Sequence, residues 1–498
     1  MISTTTLQNG TGPEAPTSIS QDWLEHLETG NEGDIDSNTE TEQHPLGVRP
    51  AGNALTSQQN AQDGMGFFGQ LPDALLLLLL EYLDQSALTN LGSTCRGLYA
   101  FSAFDQLWRD IAISNMSEHF SWRGSWRASV MRLPTPGPAK VDCRYLFSDA
   151  LHRPFLCSQV SLSPYVSDIS KQNEIPRLKD LSPAEFNDSW VDRPFILTEP
   201  VKSWQVYNEW NEEELLAKHG DTVFRAEAVD WPFEKYMTYM NNTCDESPLY
   251  LFDRAFVEKM NLEVGTNGAY ALPQAFQEDL FTLLGDQRPD HRWLIIGPER
   301  SGSTFHKDPN ATSAWNAVIR GSKYWIMFPN SVLPPGVYMS EDESEVTSPL
   351  SIAEWLLSFH AEARGTPGCL EGICRQGEVL HVPSGWWHLV VNLDPAIAIT
   401  QNFVPRAHLG AAVRFLKHKA NQVSGFKDTV ADPYGLFMER LRQAHPDMAA
   451  AFEESASKKR KWEEVVHDSA QEDVKGGGFS FGFGGDIEEQ EQEQEEEC

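Results

Sequence analysis

The sequence predicts an α+β chain: a β-rich jelly roll or barrel with flanking helices, preceded by a small all-α block. Three observations carry this. From Arg292 to Val404 short apolar runs alternate with Gly, Pro and Asn turns, as closed or sandwiched sheets require. From Phe67 to Trp108 apolar residues recur instead at helical spacing. Both ends of the 498-residue chain are polar and acidic and follow neither period.

Residues 1–64 are rich in Ser, Thr, Asn, Gln, Gly and acids, so disorder is expected, with Trp23, Leu24 and Leu27 as one short amphipathic fragment. The block at 65–132 opens on Phe68-Gly69-Gln70-Leu71-Pro72, with Pro72 where a first helical turn tolerates it. Leu75–Leu80, Tyr82 and Leu83 make a first helix, and Asp84-Gln85-Ser86 a turn. Leu88, Leu91, Cys95 and Leu98 make a second helix, and Phe104, Leu107 and Trp108 a third. Residues 133–139 read as a Pro-rich linker. In the large unit at 140–422, Arg193–Thr198 and Ser247–Asp253 are strand candidates, Asn211–His219 is a helix and Ala275–Leu284 is amphipathic. Residues 409–422 and 433–454 read as helices, so 423–457 forms a helical C-terminal segment. The tail at 458–498 holds a basic cluster, Lys458–Lys461, then a Gly/Phe stretch and an acidic end, Asp486–Glu497.

The formal net charge is −33, of which residues 1–62 carry −8 and residues 453–498 carry −10. An acidic chain repels phosphate backbones, so direct nucleic-acid binding is not expected, and a basic protein or peptide suits it better. The seven Cys are dispersed with no CxxC pair, which argues against a zinc finger and for reduced thiols in the cytosol or nucleus. Met1–Gly10 has no apolar signal core, and the Leu75–Leu80 run is too short to span a bilayer, so no membrane association is expected. The Lys458–Lys461 cluster has the composition of a nuclear import signal, so a nuclear and also cytoplasmic location is expected.

Chemistry concentrates at Thr304-Phe305-His306-Lys307-Asp308. On a strand, i and i+2 share a face, so His306 and Asp308 present an imidazole and a carboxylate together. That is two thirds of the facial triad of non-haem iron(II), which leaves one side of the ion open for a cosubstrate and dioxygen. Alone, the pattern is weak. Eighty residues on, Gly377–Pro383 and Trp386–Asn392 flank Ser384-Gly385 and read as a hairpin, with His388 on the returning strand among apolar residues. His388 is the candidate third ligand. His381, just before the Pro turn, suits a turn or surface position better.

Two resemblances sharpen this reading. Leu71-Pro72, Leu80, Leu83, Leu88, Cys95-Arg96 and Trp108, with the trailing Trp122–Arg132 segment, resemble an F-box. The resemblance implies docking to the Skp-type adaptor of a cullin ubiquitin ligase. Ser247–Tyr250, Trp293–Pro298, Thr312–Asn316, Gly321–Trp325, Phe328-Pro329, Val382–His388 and Ile397–Phe403 occur in an order similar to the Jumonji-C (JmjC) domain. Within it they look like the phosphatidylserine-receptor-like group of arginine demethylases and lysyl hydroxylases, over about 175 to 420. The resemblance implies a double-stranded β-helix, or cupin, with Fe(II), 2-oxoglutarate and O2. It implies iron ligation by His306, Asp308 and His388, and Lys323 on the distal carboxylate of 2-oxoglutarate. It places Tyr250, Ser303, Asn316, Thr400 and Asn402 in the cosubstrate pocket, and Trp387 in its wall. The F-box departs from that group. The absence of CxxC and PHD fingers departs from the F-box-containing histone lysine demethylases.

The implied activity is hydroxylation or demethylation of Lys or Arg side chains on a protein. The rival from another class is a non-catalytic ligase adaptor that uses the β domain to grip a target. A third reading, an RNA-modifying oxygenase, runs against the charge.

Overall fold

The computed structural model describes residues 43–114, 120–134, 141–349 and 351–454. The Trp23–Leu27 fragment, the Lys458–Lys461 cluster, the Gly/Phe stretch and the acidic end lie outside the described residues, as does most of the 133–139 linker. Among the described residues no single helix is long and apolar enough to cross a membrane.

The strands in chain order are β1 (Arg177–Leu178), β2 (Phe195–Leu197), β3 (Val223–Ala226), β4 (Val229–Pro232), β5 (Leu251–Asp253), β6 (Arg292–Gly297) and β7 (Gly302–His306). They continue with β8 (Ser313–Arg320), β9 (Ser322–Phe328), β10 (Tyr338–Met339), β11 (Val346–Thr347) and β12 (Leu370–Arg375). The last three are β13 (Val379–Val382), β14 (Trp387–Asn392) and β15 (Ala396–Phe403). A nine-stranded sheet runs β1-β2-β13-β8-β15-β6-β5-β3-β4, and a four-stranded sheet runs β12-β9-β14-β7. From β6 to β9 and from β12 to β15, each successive strand joins the other sheet. That alternation builds the jelly roll and leaves a closed interior between two inner faces.

It also overturns one expectation. Residues 377–392 are not a hairpin, because β13 pairs with β2 and β8 while β14 pairs with β7 and β9. The Pro383–Trp386 link carries the chain from one sheet to the other. The tight turn at Gly321, where φ is +77°, does the same between β8 and β9.

Other segments differ in detail. The expected second helix of the N-terminal block is two, Gln85–Gly92 and Arg96–Ser102, because Cys95 starts a new helix by accepting from the Leu98 amide at 3.5 Å. Ala275–Leu284 is not one helix but 3-10 turns, Gln274–Phe276 and Leu280–Gln287. They are split at buried Asp279, which accepts from the Phe281 and Val404 amides and pairs with Arg288. The stretch from Arg292 to Val404 is interrupted by a fourteen-residue helix, Ile352–Gly365, capped by Ser351. Its Trp355 and Leu356 cover the outer face of the four-stranded sheet with Phe305, Tyr324, Phe328 and Trp387.

The helical block and the β unit share one apolar core. Leu76, Leu80, Leu88, Phe101 and Trp108 belong to the same buried cluster as Trp126, Trp231 and Tyr239. The seam is aromatic: Trp122 meets Tyr239 at 4.8 Å between centroids, and Trp126 meets Trp231 at 6.1 Å.

Candidate metal centre

In the four-stranded sheet β7 and β14 are antiparallel neighbours, and the register sets His306 opposite His388. Their ring centroids lie 4.2 Å apart. β7 closes at His306, but Asp308 stays extended (φ −62°, ψ 145°) before the Pro309–Ala311 turn. The i, i+2 relation therefore survives the end of the strand. One ligand atom from each of His306, Asp308 and His388 lies within 4.8 Å of the others.

Each imidazole is oriented by a carbonyl two residues upstream: His306 Nδ1 sits 2.8 Å from the Thr304 oxygen, and His388 Nδ1 3.1 Å from the Trp386 oxygen. With Nδ1–H donating, Nε2 keeps the lone pair that a metal needs. Burial, then the charge of His306, holds the His388 imidazole well below its ordinary value, in the neutral ligand form. Burial pushes the Asp308 carboxyl up to about 6, against the opposing effects of His306 and the Asn402 amide. Asp308 Oδ2 is buried with no hydrogen-bond partner among the described residues. Such an orphaned acceptor costs about 1–3 kcal/mol, which a bound cation relieves. Two nitrogens and a carboxylate suit a first-row divalent ion, so the residues fit iron(II).

A second group lies on the same sheet. Lys323 is fully buried on β9 and donates to Asn392 Oδ1 at 2.7 Å and to the Tyr250 hydroxyl. Burial pushes its ammonium down to about 7. Among the described residues it forms no ion pair, so a buried cation stands with neutral partners only. An incoming carboxylate is the counter-ion such a site lacks.

Asn392 is a residue that the sequence reading missed. It follows His388 by four positions on β14, hence on the same face, and stands opposite Lys323. Its amide also donates to Ser301 Oγ at 3.0 Å. The signal was present in the strand period, once His388 fixed the inner face.

The remaining expected residues distribute as follows. Asn402 stands beside Asp308 and donates to Thr312 Oγ1 at 2.8 Å. Asn316 and Thr400 are opposite each other on β8 and β15. Thr400 donates to the Trp315 carbonyl at 2.8 Å, and Asn316 Oδ1 is buried and has no partner among the described residues. Among the described residues neither hydrogen-bonds to the triad or to Lys323. Ser303, opposite Val390, lines a cavity of about 390 Å3 with Thr304 and His306, and Glu227, Ser247 and Arg300 form other parts of its wall.

Two assignments are corrected. Trp387 faces away from the triad: it packs in the outer cluster, with the Lys307 ammonium 4.6 Å from its ring centroid. Alternation on β14 forces this once His388 points inward, and the indole beside His388 is Trp325, at 5.9 Å. His381 is neither at a turn nor on the surface. It is fully buried in β13 on the other sheet, with Phe195 at 4.9 Å, and its Nδ1 bonds the Arg193 carbonyl at 3.1 Å.

A jelly roll that gathers two imidazoles and one carboxylate in this way defines a cupin metal site of the facial-triad class. A cupin-like domain family matches residues 183–408, and an F-box-like family matches residues 68–114. The chain belongs to the cupin-like JmjC family and carries an F-box-like segment ahead of that domain. It is 35% identical over 446 residues to the arginine-specific demethylase JMJ22 of Arabidopsis thaliana, covering 86% of this chain and 88% of that protein. It is 31% identical to the lysine-specific demethylase JMJ21 of the same plant, over 72% of this chain and 39% of the relative. To the bifunctional arginine demethylase and lysyl-hydroxylase psr-1 of Caenorhabditis elegans it is 34% identical, over 43% of this chain and 57% of the relative.

Proposed function

We propose that this chain is an iron(II)- and 2-oxoglutarate-dependent dioxygenase that hydroxylates or demethylates Lys or Arg side chains of a basic protein. The observation that carries the reading is the pairing, on one sheet, of a triad with an orphaned carboxylate oxygen and a buried lysine that has no anionic partner among the described residues. When bound, iron(II) and 2-oxoglutarate supply the oxidising chemistry: dioxygen is consumed, the cosubstrate becomes succinate and carbon dioxide, and a substrate C–H bond is hydroxylated.

The chain's own groups do the positioning. His306, Asp308 and His388 hold the ion, with backbone carbonyls fixing both rings. Lys323 takes the distal carboxylate, kept in place by Tyr250 and Asn392. Asn316, Thr400 and Asn402 line the cosubstrate pocket, and Ser303 stands at the cavity beside His306. On a lysine side chain the product is hydroxylysine. On an N-methyl group the hydroxylated product loses formaldehyde. The similarity to the arginine demethylase JMJ22 and to the arginine demethylase and lysyl-hydroxylase psr-1 supports this substrate class.

The test is succinate release from 2-oxoglutarate in the presence of iron(II). It is expected from the natural protein and absent from Asp308→Ala, and equal turnover by that variant rejects the triad. Mass spectrometry of incubated basic peptides then separates the gain of one oxygen from the loss of a methyl group.

A second role coexists with the first. Leu75, Leu78, Leu79 and Tyr82 are exposed on and just after helix Asp73–Leu80, which supports docking of a Skp-type adaptor through the F-box. Nuclear entry rests on Lys458–Lys461, and its test is loss of nuclear signal when these four residues are replaced by Ala.

A further inference from the structure

The segment that delivers Tyr250 to Lys323 has little sheet pairing of its own. β5 begins only at Leu251, and Pro248 lies just ahead of it. Residues 245–250 are held instead by side chains, two of them from the helical block. Trp126 Nε1 donates to Asp245 Oδ2 at 2.8 Å, and the Tyr239 hydroxyl donates to the same oxygen at 2.7 Å. Arg109, on helix Asp105–Ser114, donates through one guanidinium nitrogen to the Ser247 carbonyl and through another to Glu227 Oε2, each at 3.0 Å. The other Glu227 oxygen, Oε1, accepts from the Tyr250 amide at 3.1 Å. Glu227 occupies the β3–β4 turn with φ at +48°, a left-handed conformation that a side chain adopts only when its surroundings hold it there.

A continuous path therefore runs from the F-box-like helix to the buried lysine. Arg109 fixes Glu227, Glu227 fixes the Tyr250 backbone, and the Tyr250 hydroxyl accepts from Lys323 Nζ. The Arg109 side chain is only 14% exposed and lies over the Trp126 ring at 5.8 Å, so its guanidinium is set by packing as well as by charge. Glu227 and Ser247, the two groups it holds, both line the cavity beside His306.

We propose that Arg109 is a positioning residue for the cosubstrate pocket, so that the helical block sets the affinity of the oxygenase domain for 2-oxoglutarate through Glu227 and Tyr250. The inference rests on the oxygenase reading for the pocket's occupant. The block is then a structural part of the enzyme as well as an adaptor surface.

The experiment is equilibrium titration of 2-oxoglutarate into the full-length protein loaded with manganese(II), with steady-state kinetics alongside. Loss of a supporting shell typically weakens such sites at least tenfold, so Arg109→Ala is expected to raise Kd and KM for 2-oxoglutarate by about tenfold, with kcat at saturation unchanged. Arg109→Lys recovers part of the loss. Glu227→Gln weakens binding too, and Arg109→Ala added to it costs little more, because the two act in series. Arg442→Ala, which removes a distant exposed ion pair with Glu453, leaves Kd unchanged.

Leu88→Ala, a cavity in the same block, separates positioning from general loosening: it lowers Tm while Kd holds. Equal weakening by Leu88→Ala, or additive losses from Arg109 and Glu227, overturns the inference. If Lys323→Met abolishes binding while Arg109→Ala leaves Kd unchanged, the pocket stands and this inference alone fails. If Lys323→Met binds as the natural protein does, the oxygenase reading of the pocket falls first.

Discussion

Asp308 and Lys323 are each held in a protonation state that costs something until a ligand arrives. Burial pushes the Asp308 carboxyl up to about 6 in the folded chain, from 3.8 ordinarily. Between those values the folded state binds more protons than the unfolded one, so this group's contribution to stability falls as pH rises from about 4 to 6. Asp308→Asn is therefore expected to raise the Tm of the metal-free protein at pH 7 by about 2 °C, to change it little at pH 4, and to lose iron(II) binding. Scanning calorimetry with and without metal reads both. Lys323 has the opposite sign: its folded value of about 7 lies below 10.5, so its contribution to stability rises with pH between them. A dianionic cosubstrate requires the ammonium, so binding above pH 7 takes up a proton and weakens by up to about tenfold per pH unit. Calorimetric titration in buffers of different ionisation heat measures the uptake, which Lys323→Met removes. The chemistry-bearing residues were readable because each is specified by local spacing or by an ordered motif. The wall was not. Alternation about His388 already turns Trp387 outward, against the place the resemblance gives it, but that the indole beside the triad is Trp325 follows only from the pairing of β14 with β9.

At the scale of elements, the helix Ile352–Gly365 was hidden within a β-rich stretch, though Ser351 and Glu354 mark its start and Ile352, Trp355, Leu356 and Phe359 follow its period. Ser351→Ala should cost about 1 kcal/mol through the lost cap, and Trp355→Ala about 3–5 kcal/mol through the cavity over the small sheet. Denaturant unfolding distinguishes the two magnitudes. The strands from β6 to β15 were legible as strands because their period is local, but their partners were not. A Pro-Ser-Gly link serves a hairpin and a crossing between sheets equally well, and only pairing with distant β7 and β2 decides. On the N-terminal block, Leu78 is 48% exposed on helix Asp73–Leu80. Leu78→Glu is expected to abolish copurification with the Skp-type adaptor while moving Tm by less than about 1 °C, as surface changes usually do. Retained adaptor with that variant would count against docking through this face.

Across the whole molecule, a block and a β unit that share an aromatic seam should not melt separately. One calorimetric transition is expected for the described part of the chain, and two resolved transitions would contradict the shared core. Sequence composition separated the helical from the β-rich region but could not show that Trp126 and Trp231 meet, since that contact joins residues more than a hundred positions apart. The same distance in the chain governs the triad. His306 and His388 meet only because β14 inserts between β7 and β9, so the pair exists only after the last of these strands has been made. A ribosome delivers the leucine-bearing helix more than three hundred residues before His388. Contacts of such long range form slowly. Iron loading is thus a late event in the life of each newly made chain, and a protein arrested short of β14 carries the F-box-like helix with no place for the metal.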